Sequence, residues 1–404
     1  MRAIAKDHYG GPGFKEMEQL LKIAPSGDFA DLISHYLSNE LTASGRGYRK
    51  ALKERNVTEE QIRQFRVRFA ETGQARKHSS SAFTFIDLFA GIGGMRLAGS
   101  DLGGKCVFTS EWDKYSQITY STNFGEVPFG DITKISESFI PKHDLLMAGF
   151  PCQAFSIAGR KGGFSDTRGT LFFDVARILK AKRPKAFLLE NVKGLRGHDK
   201  GRTLATILNV LREDLGYFVP EPQIINSRNF GVPQNRERII IVGFKTKKQA
   251  DSFRYPTSRC KPRRIIDILE KDEVSPKYYL SNQYLNTLIL HRQRHEEKGH
   301  GFGYEIIQPD QVANAIVVGG MGRERNLVVD NRLSNFKPVT HIVGTINRQG
   351  IRRLTPREWA RLQGFPESFV IPVSDAQAYK QFGNSVTVPA IKAVIREIIK
   401  VMNE

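Results

Sequence analysis

Cys152 stands in the run Gly149-Phe150-Pro151-Cys152-Gln153. Ionised, a cysteine is a strong nucleophile; a lone cysteine is more often a small buried hydrophobe. The residues after it favour chemistry. Gly159, Gly162 and Gly163, with Arg160 and Lys161, form a basic loop able to close over a substrate. Glu190, in Glu190-Asn191-Val192, is a candidate acid or base. Gln234-Asn235-Arg236-Glu237-Arg238 offers two guanidinium groups that suit a carbonyl oxygen or phosphates, or else a solvated charged turn.

A second set of residues suits a bound adenosine. Asp87-Leu88-Phe89-Ala90-Gly91-Ile92-Gly93-Gly94 reads as a strand end running through a glycine turn into a helix, where the backbone approaches a ligand closely. Glu111-Trp112 ends the next strand, with an acid for ribose hydroxyls and an indole for adenine. Asp131-Ile132 ends a third unit. Singly, each reads as a surface acid or a core aromatic. Together, at successive strand ends, they describe an adenosine pocket at the carboxyl edge of an open sheet.

The patterning supplies the elements that must hold these groups. Strands are expected at 84–89, 106–111, 145–148, 186–189 and 239–244, with helices at 171–180 and 204–215. This alternation implies a mostly parallel sheet covered by helices, ending near Phe244. The glycine turn, Glu111, Cys152, Glu190 and the 234–238 run each lie just past, or just before, one of those strands. Residues 1–80 read as amphipathic helices. Phe14 to Leu21 has helical spacing, and Thr58-Glu59-Glu60-Gln61 looks like a capping box before Phe65 and Phe69. Lys77-His78-Ser79-Ser80-Ser81 reads as a linker.

Residues 245–351 lose the alternation and keep only short strand-like pieces such as Ala315-Ile316-Val317-Val318. They carry 18 Lys+Arg against 11 Asp+Glu, a net of +7. Helical patterning returns at 356–362 and 388–401, where Ile391, Ile395, Ile398 and Ile399 share one face. The expected division is 1–80, 81–244, 245–376 and 377–404. A chain of 404 residues is too long for one compact core.

Across the chain, 61 Lys+Arg face 42 Asp+Glu, a formal charge of +19 that favours a polyanionic partner. No apolar run approaches the roughly 20 residues that span a bilayer, and no secretory signal opens the chain. Cys106, Cys152 and Cys260 make no C-x-x-C pair, so no disulfide scaffold or metal site is expected. A reducing cytoplasm fits.

The ordered motifs resemble those of the bacterial DNA (cytosine-5)-methyltransferase family. They are the glycine turn, Glu111-Trp112, Asp131-Ile132, Pro151-Cys152-Gln153, Arg168-Gly169-Thr170-Leu171, Glu190-Asn191-Val192 and the 234–238 run. RRLTPREWARLQGFP at 352–366 and QFGNSVTVP at 381–389 follow. The resemblance covers about 84–244 and 352–404. It implies an α/β fold, a Rossmann-like S-adenosylmethionine-dependent sheet domain with a smaller irregular target-recognition domain and an N-terminal helical extension.

By that resemblance, Cys152 attacks carbon 6 of cytosine, and Glu190 contacts N3 and the amino group. Arg238 holds O2, with Arg236 supporting the site or a phosphate. Phe89, Ala90, Gly91, Ile92, Gly93 and Pro151 line the cofactor. Glu111 takes its ribose, Trp112 its adenine face, Asp131 and Ile132 the adenine edge, and Leu171 packs nearby. Asn384, Ser385 and Val386 complete the methionine end, so the C-terminal helix returns beside the first strand. The target base must be flipped from double-stranded DNA. Gln153, Ser156 and Arg168 frame the loop expected to close on it. Arg323, Arg325, Asn326, Arg348 and Gln349 are candidate base readers, though residues of these types more often contact phosphate or solvent.

The setting implied is restriction–modification with a separate cognate endonuclease, or an orphan methylase, acting as a monomer. The branch that methylates transfer RNA lacks support, because 245–351 holds no Cys-Phe-Thr signature. A silent homologue would be expected to lack Cys152, Glu190 or Arg238. Amino-methylating enzymes carry an Asp/Asn-Pro-Pro-Tyr/Phe motif that is missing here.

Overall fold

A computed structural model describes residues 81–151, 171–257, 260, 263–300, 303–318, 323–339, 342 and 344–403. The expected helices of residues 1–80, and Cys152, Gln153, Ser156 and Arg168, lie outside the described residues.

The chain alternates as the apolar periodicity requires. β1 (Phe83–Leu88) leads to α1 (Gly94–Ser100), β2 (Gly104–Ser110) to α2 (Lys114–Phe124), and β3 (Leu145–Gly149) to α3 (Leu171–Lys182). β4 (Ala186–Val192) is followed by α4 (Arg202–Asn209) and then β5 (Gln223–Asn226). The two-residue β6 (Gln234–Asn235), β7 (Glu237–Phe244) and α5 (Lys247–Ser252) come next. The main sheet has the order β2-β1-β3-β4-β7-β5. β1 to β4 are parallel, and β7 runs antiparallel to both neighbours. A turn at Ser227–Phe230 lies between β5 and β7, so β7 pairs with β5 in hairpin sense and fills the space beside β4.

Alternation along the strands sends side chains to two cores. Ile86 and Leu88 join the buried side of α3 and α4, including Phe172, Val175 and Ile207. Phe85 joins the opposite cluster, with Met95 and Ala98 of α1. Both faces are therefore covered, as a parallel sheet demands.

Beyond the sheet come α6 (Asn282–Glu296), β8 (Ala313–Asn314), β9 (Leu327–Val329) and β10 (Ile351–Arg353). α7 (Pro356–Leu362), α8 (Asp375–Asn384) and α9 (Val388–Met402) close the chain. α7 starts where its sequence says it should. Thr355 accepts from the Glu358 N–H, Glu358 accepts from the Thr355 N–H, and Pro356 takes the first position. α9 buries Ile391, Val394, Ile395 and Ile398 in the α1 cluster. Lys392 adds an ion pair to Asp101 at 2.9 Å. The C-terminal helix thus packs against α1.

The region read as patternless holds α6, which buries only Leu285 and Leu288 and so leaves too narrow an apolar stripe to read. Residues 315–318 are not a strand. The Ile316 N–H donates to Gln234 and its carbonyl accepts from Arg236, so side chains take the groups a ladder would need. β5 went unread because four residues carry little periodicity. Asp131 follows no strand of its own, only the single parallel bridge Ser110–Phe129.

Candidate active site

The carboxyl ends of β1 to β4 open on one cavity of about 590 Å³, a size typical of cofactor sites. Its two ends are built differently.

One end rests on Glu111, just past β2. This carboxylate is buried, yet both its oxygens are engaged. Oε2 accepts from the Gly91 N–H at 2.8 Å and Oε1 from the Asp113 N–H at 2.7 Å. One side chain thereby ties the glycine turn to the start of α2. Burial pushes its pKa up, and those N–H groups oppose the shift. Beside it the Trp112 indole is 75 % exposed, while Trp359 is buried at 1 %. Phe89, Ala90, Gly91, Asp131, Ile132 and Leu171 line the same end. Asp131 also accepts from the Thr133 N–H at 3.0 Å. A flat exposed aromatic face, a buried acid with lone pairs to spare and a close-approaching glycine backbone fit an adenosine.

Two residues of the expected cofactor set do not line the cavity. Ile92 is buried at 1 % in the core beneath the turn. Gly93 is the left-handed residue, φ 86°, that precedes α1. Their work is to shape the turn.

The other end holds Glu190. In the β4–β7 ladder, Glu190 faces Ile240 and Val192 faces Arg238. Arg238 is therefore the diagonal neighbour of Glu190 on the same face, and its Nε lies 3.0 Å from Glu190 Oε1. The antiparallel β7 creates this pair, because a parallel strand would enter from the opposite direction. Opposite Glu190 on β3 is Gly149, which brings no side chain to crowd it. Burial raises the Glu190 pKa against the opposing charges of Arg238 and Arg236.

Arg236 is 2 % exposed. Its Nη1 donates to Ile316 O at 2.7 Å, and its Nη2 to Gly383 O at 3.0 Å and Ser385 O at 2.8 Å. Burial and the neighbouring Arg238 bring its pKa down to about 9. Three backbone carbonyls thus hold Arg236 in place.

Asn384, Ser385, Val386 and Pro151 also line the cavity. Ser385 and Val386 pack so close to α1 that a Cβ on Gly94 would meet the Val386 side chain at 2.8 Å and Ser385 Oγ at 2.9 Å.

Several other residues on this wall carry no role expected from the sequence. Asp87, Lys380 and Gln381 line the cavity. Lys380 pairs with Asp113 at 2.9 Å, bridging α8 to α2. Asn191 Nδ2 donates to Phe150 O at 2.9 Å, which anchors the segment entering Pro151. The position of Asn191 beside Glu190 was the only available signal.

The expected base readers lie elsewhere. Arg323 is exposed over the Tyr379 ring at 5.4 Å, and Arg348 over Phe336 at 3.9 Å. Arg325 and Gln349 are exposed. Asn326 is wholly buried and cannot read a base; its Oδ1 accepts from the Asn314 N–H at 2.8 Å. Among the described residues, no group of three or more His, Cys, Asp or Glu is placed to hold a metal ion. No helix among them is long and apolar enough to cross a membrane.

A family model described as C-5 cytosine-specific DNA methylase matches residues 83–400. The chain is 67 % identical over 320 residues to Type II methyltransferase M.HpaII of Haemophilus parainfluenzae, covering 79 % of this chain and 89 % of the relative. It is 51 % identical over 316 residues to Type II methyltransferase M.DsaV of Dactylococcopsis salina, covering 78 % and 85 %. Among solved structures it resembles the S. pombe Dnmt2 methyltransferase, with a TM-score of 0.59 and 20 % identity over 80 % of this chain and 99 % of that one. The Entamoeba histolytica methyltransferase EhMeth gives 0.60 and 19 % over the same shares. At that identity the likeness speaks for the fold alone.

Proposed function

The chain belongs to the C-5 cytosine-specific DNA methylase family, and from that premise we propose how its own residues carry out the reaction. The protein is a DNA (cytosine-5)-methyltransferase of restriction–modification type, dependent on S-adenosylmethionine. The observation that carries the assignment of roles is the Glu190–Arg238 pair at one end of a cavity whose other end fits adenosine.

Carbon 5 of cytosine is a poor nucleophile, so the base is activated first. Cys152, as the thiolate, adds to carbon 6, and the electron pair of the 5,6 double bond moves to carbon 5. Glu190 holds a proton toward N3, which the upward push of burial on its pKa favours. Arg238, anchored on Glu190, turns its remaining donors to O2. Bound S-adenosylmethionine supplies the electrophilic methyl group. Once carbon 5 carries the methyl, water removes the carbon 5 proton. The electron pair left behind re-forms the double bond and expels Cys152 as thiolate. Arg236 touches no reacting atom in this scheme; it positions Ser385 and Ile316.

Glu111 and Trp112 take the ribose and adenine, Asp131 and Ile132 the adenine edge, and Asn384 to Val386 the methionine end. Residues 81–244 and 377–404 form the catalytic part, 245–376 the recognition part and 1–80 an N-terminal extension. The enzyme acts as a monomer on DNA in the cytoplasm, apart from any cognate endonuclease.

The test uses tritiated S-adenosylmethionine with duplex DNA and, separately, transfer RNA. Label is expected at carbon 5 of DNA cytosines and none with Cys152→Ala. Glu190→Gln should lower the rate by about 100-fold or more with unchanged cofactor affinity by calorimetry. Label confined to transfer RNA would overturn the assignment.

A further inference from the structure

A second cavity, of about 450 Å³, lies away from the first and is lined by Lys277, Gln283, Tyr284, Thr287 and Arg353 among others. Arg353 is held there from two sides. Its Nε and Nη2 each lie 3.0 Å from Glu324 Oε1. Its guanidinium sits over the Tyr284 ring, 5.1 Å from the centroid. The Tyr284 hydroxyl donates to the same Glu324 oxygen at 3.1 Å. Glu324 is buried at 2 %, so the anchor does not move with solvent. The Arg353 side chain remains 24 % exposed. A planar cation stacked on an aromatic and braced by a buried carboxylate has already lost its rotamer freedom. It loses little more on binding.

The two cavities share α8. Its first residue, Asp375, pairs with Lys277 at 2.7 Å on the second cavity, and its last, Asn384, lines the first. Ten residues of helix span about 15 Å, which is about four base-pair steps of duplex at 3.4 Å each. Arg323 lies over Tyr379 and Val318 against Gly383, positions one turn apart on α8.

We propose that this cavity reads the target duplex, with Arg353 donating to the O6 and N7 edge of a guanine while the flipped cytosine occupies the first cavity. A braced Arg fork matches that edge in the major groove. Gln283 and Thr287, exposed and one turn apart on α6, flank it as further donors and acceptors. The inference rests on the DNA-methylating function above. It moves base reading from the positions expected in the sequence to a residue of the 352–366 motif.

The experiment profiles methyl transfer over duplexes in which each base pair of the target site is replaced in turn. Wild type, Arg353→Lys and Gln283→Ala are compared. The lysine keeps the charge beside Glu324 but lacks the fork, and Gln283 is exposed, so both variants should fold. Arg353→Lys is expected to cut the preference for guanine at one position by about 10- to 100-fold, with unchanged S-adenosylmethionine affinity and an unchanged salt slope of DNA binding. Uniform weakening over all sequences, with the slope shallower by about one, would mean a phosphate contact and overturn the proposal. Unchanged profiles in both variants would overturn it too. Failure of the functional reading looks different, because wild type would then methylate no DNA at all.

Discussion

Asp87 has a carboxyl group buried at 1 % on the wall of the first cavity, and its Oδ2 meets no partner among the described residues. Burial raises its pKa from 3.8 to about 7, against the opposing charge and backbone N–H of Arg96. A folded-state pKa above the unfolded one gives stability that is complete below about pH 4 and is lost as pH rises through 7. Asparagine stands for the neutral form at every pH. The melting temperature of wild type minus that of Asp87→Asn should therefore fall between about pH 4 and 7 and level off above that. The full swing is at most about 4 kcal/mol. A difference that stays constant with pH would show that Asp87 ionises normally. Glu111 and Glu190 are also buried, but Glu111 has both oxygens engaged and Glu190 faces the Arg238 guanidinium.

The turn between β1 and α1 shows what glycine does at the scale of an element. Gly93 has φ 86°, and a Cβ there would stand 2.2 Å from the Phe124 ring. That ring packs on Tyr120, with Arg96 over it, so making room for a Cβ breaks those contacts. Gly91 has φ 57° and open space around it. Gly93→Ala should cost about 3 kcal/mol or more, since it adds overlap to backbone strain. Gly91→Ala should cost about 1–2 kcal/mol from strain alone. Denaturant titration separates them, and equal losses would contradict the geometry. The antiparallel insertion of β7 works at the same scale. It makes Glu190 and Arg238 diagonal neighbours although 48 positions separate them in the chain.

For the whole molecule, a charge of +19 on 404 residues sets the response to salt. Each neutralised phosphate releases counterions, so affinity for DNA should fall by about 1,000-fold or more between 50 and 200 mM salt. Affinity for S-adenosylmethionine, held in a sheltered cavity, should change far less. Fluorescence anisotropy and calorimetry over that range check the pair. A flat salt response would mean that the positive charge lies away from the DNA path.

Much of the molecule could be read before folding was considered. Local periodicity set β1 to β4, β7, α3, α4, α7 and α9 near their observed bounds, because each has enough apolar residues to show its period. Glycine turns and strand-end acids could be picked out because their chemistry is local. What the chain alone could not show depends on contacts between distant segments. Gln234 and Arg236 capture Ile316 and deny it a strand, and α6 hides because it buries only one narrow stripe. Glu324 and Tyr284 brace Arg353 from 29 and 69 positions away along the chain. The separate burial of Asn326 and exposure of Arg325 also arise only in the packed fold, since neighbours in sequence need not share a surface.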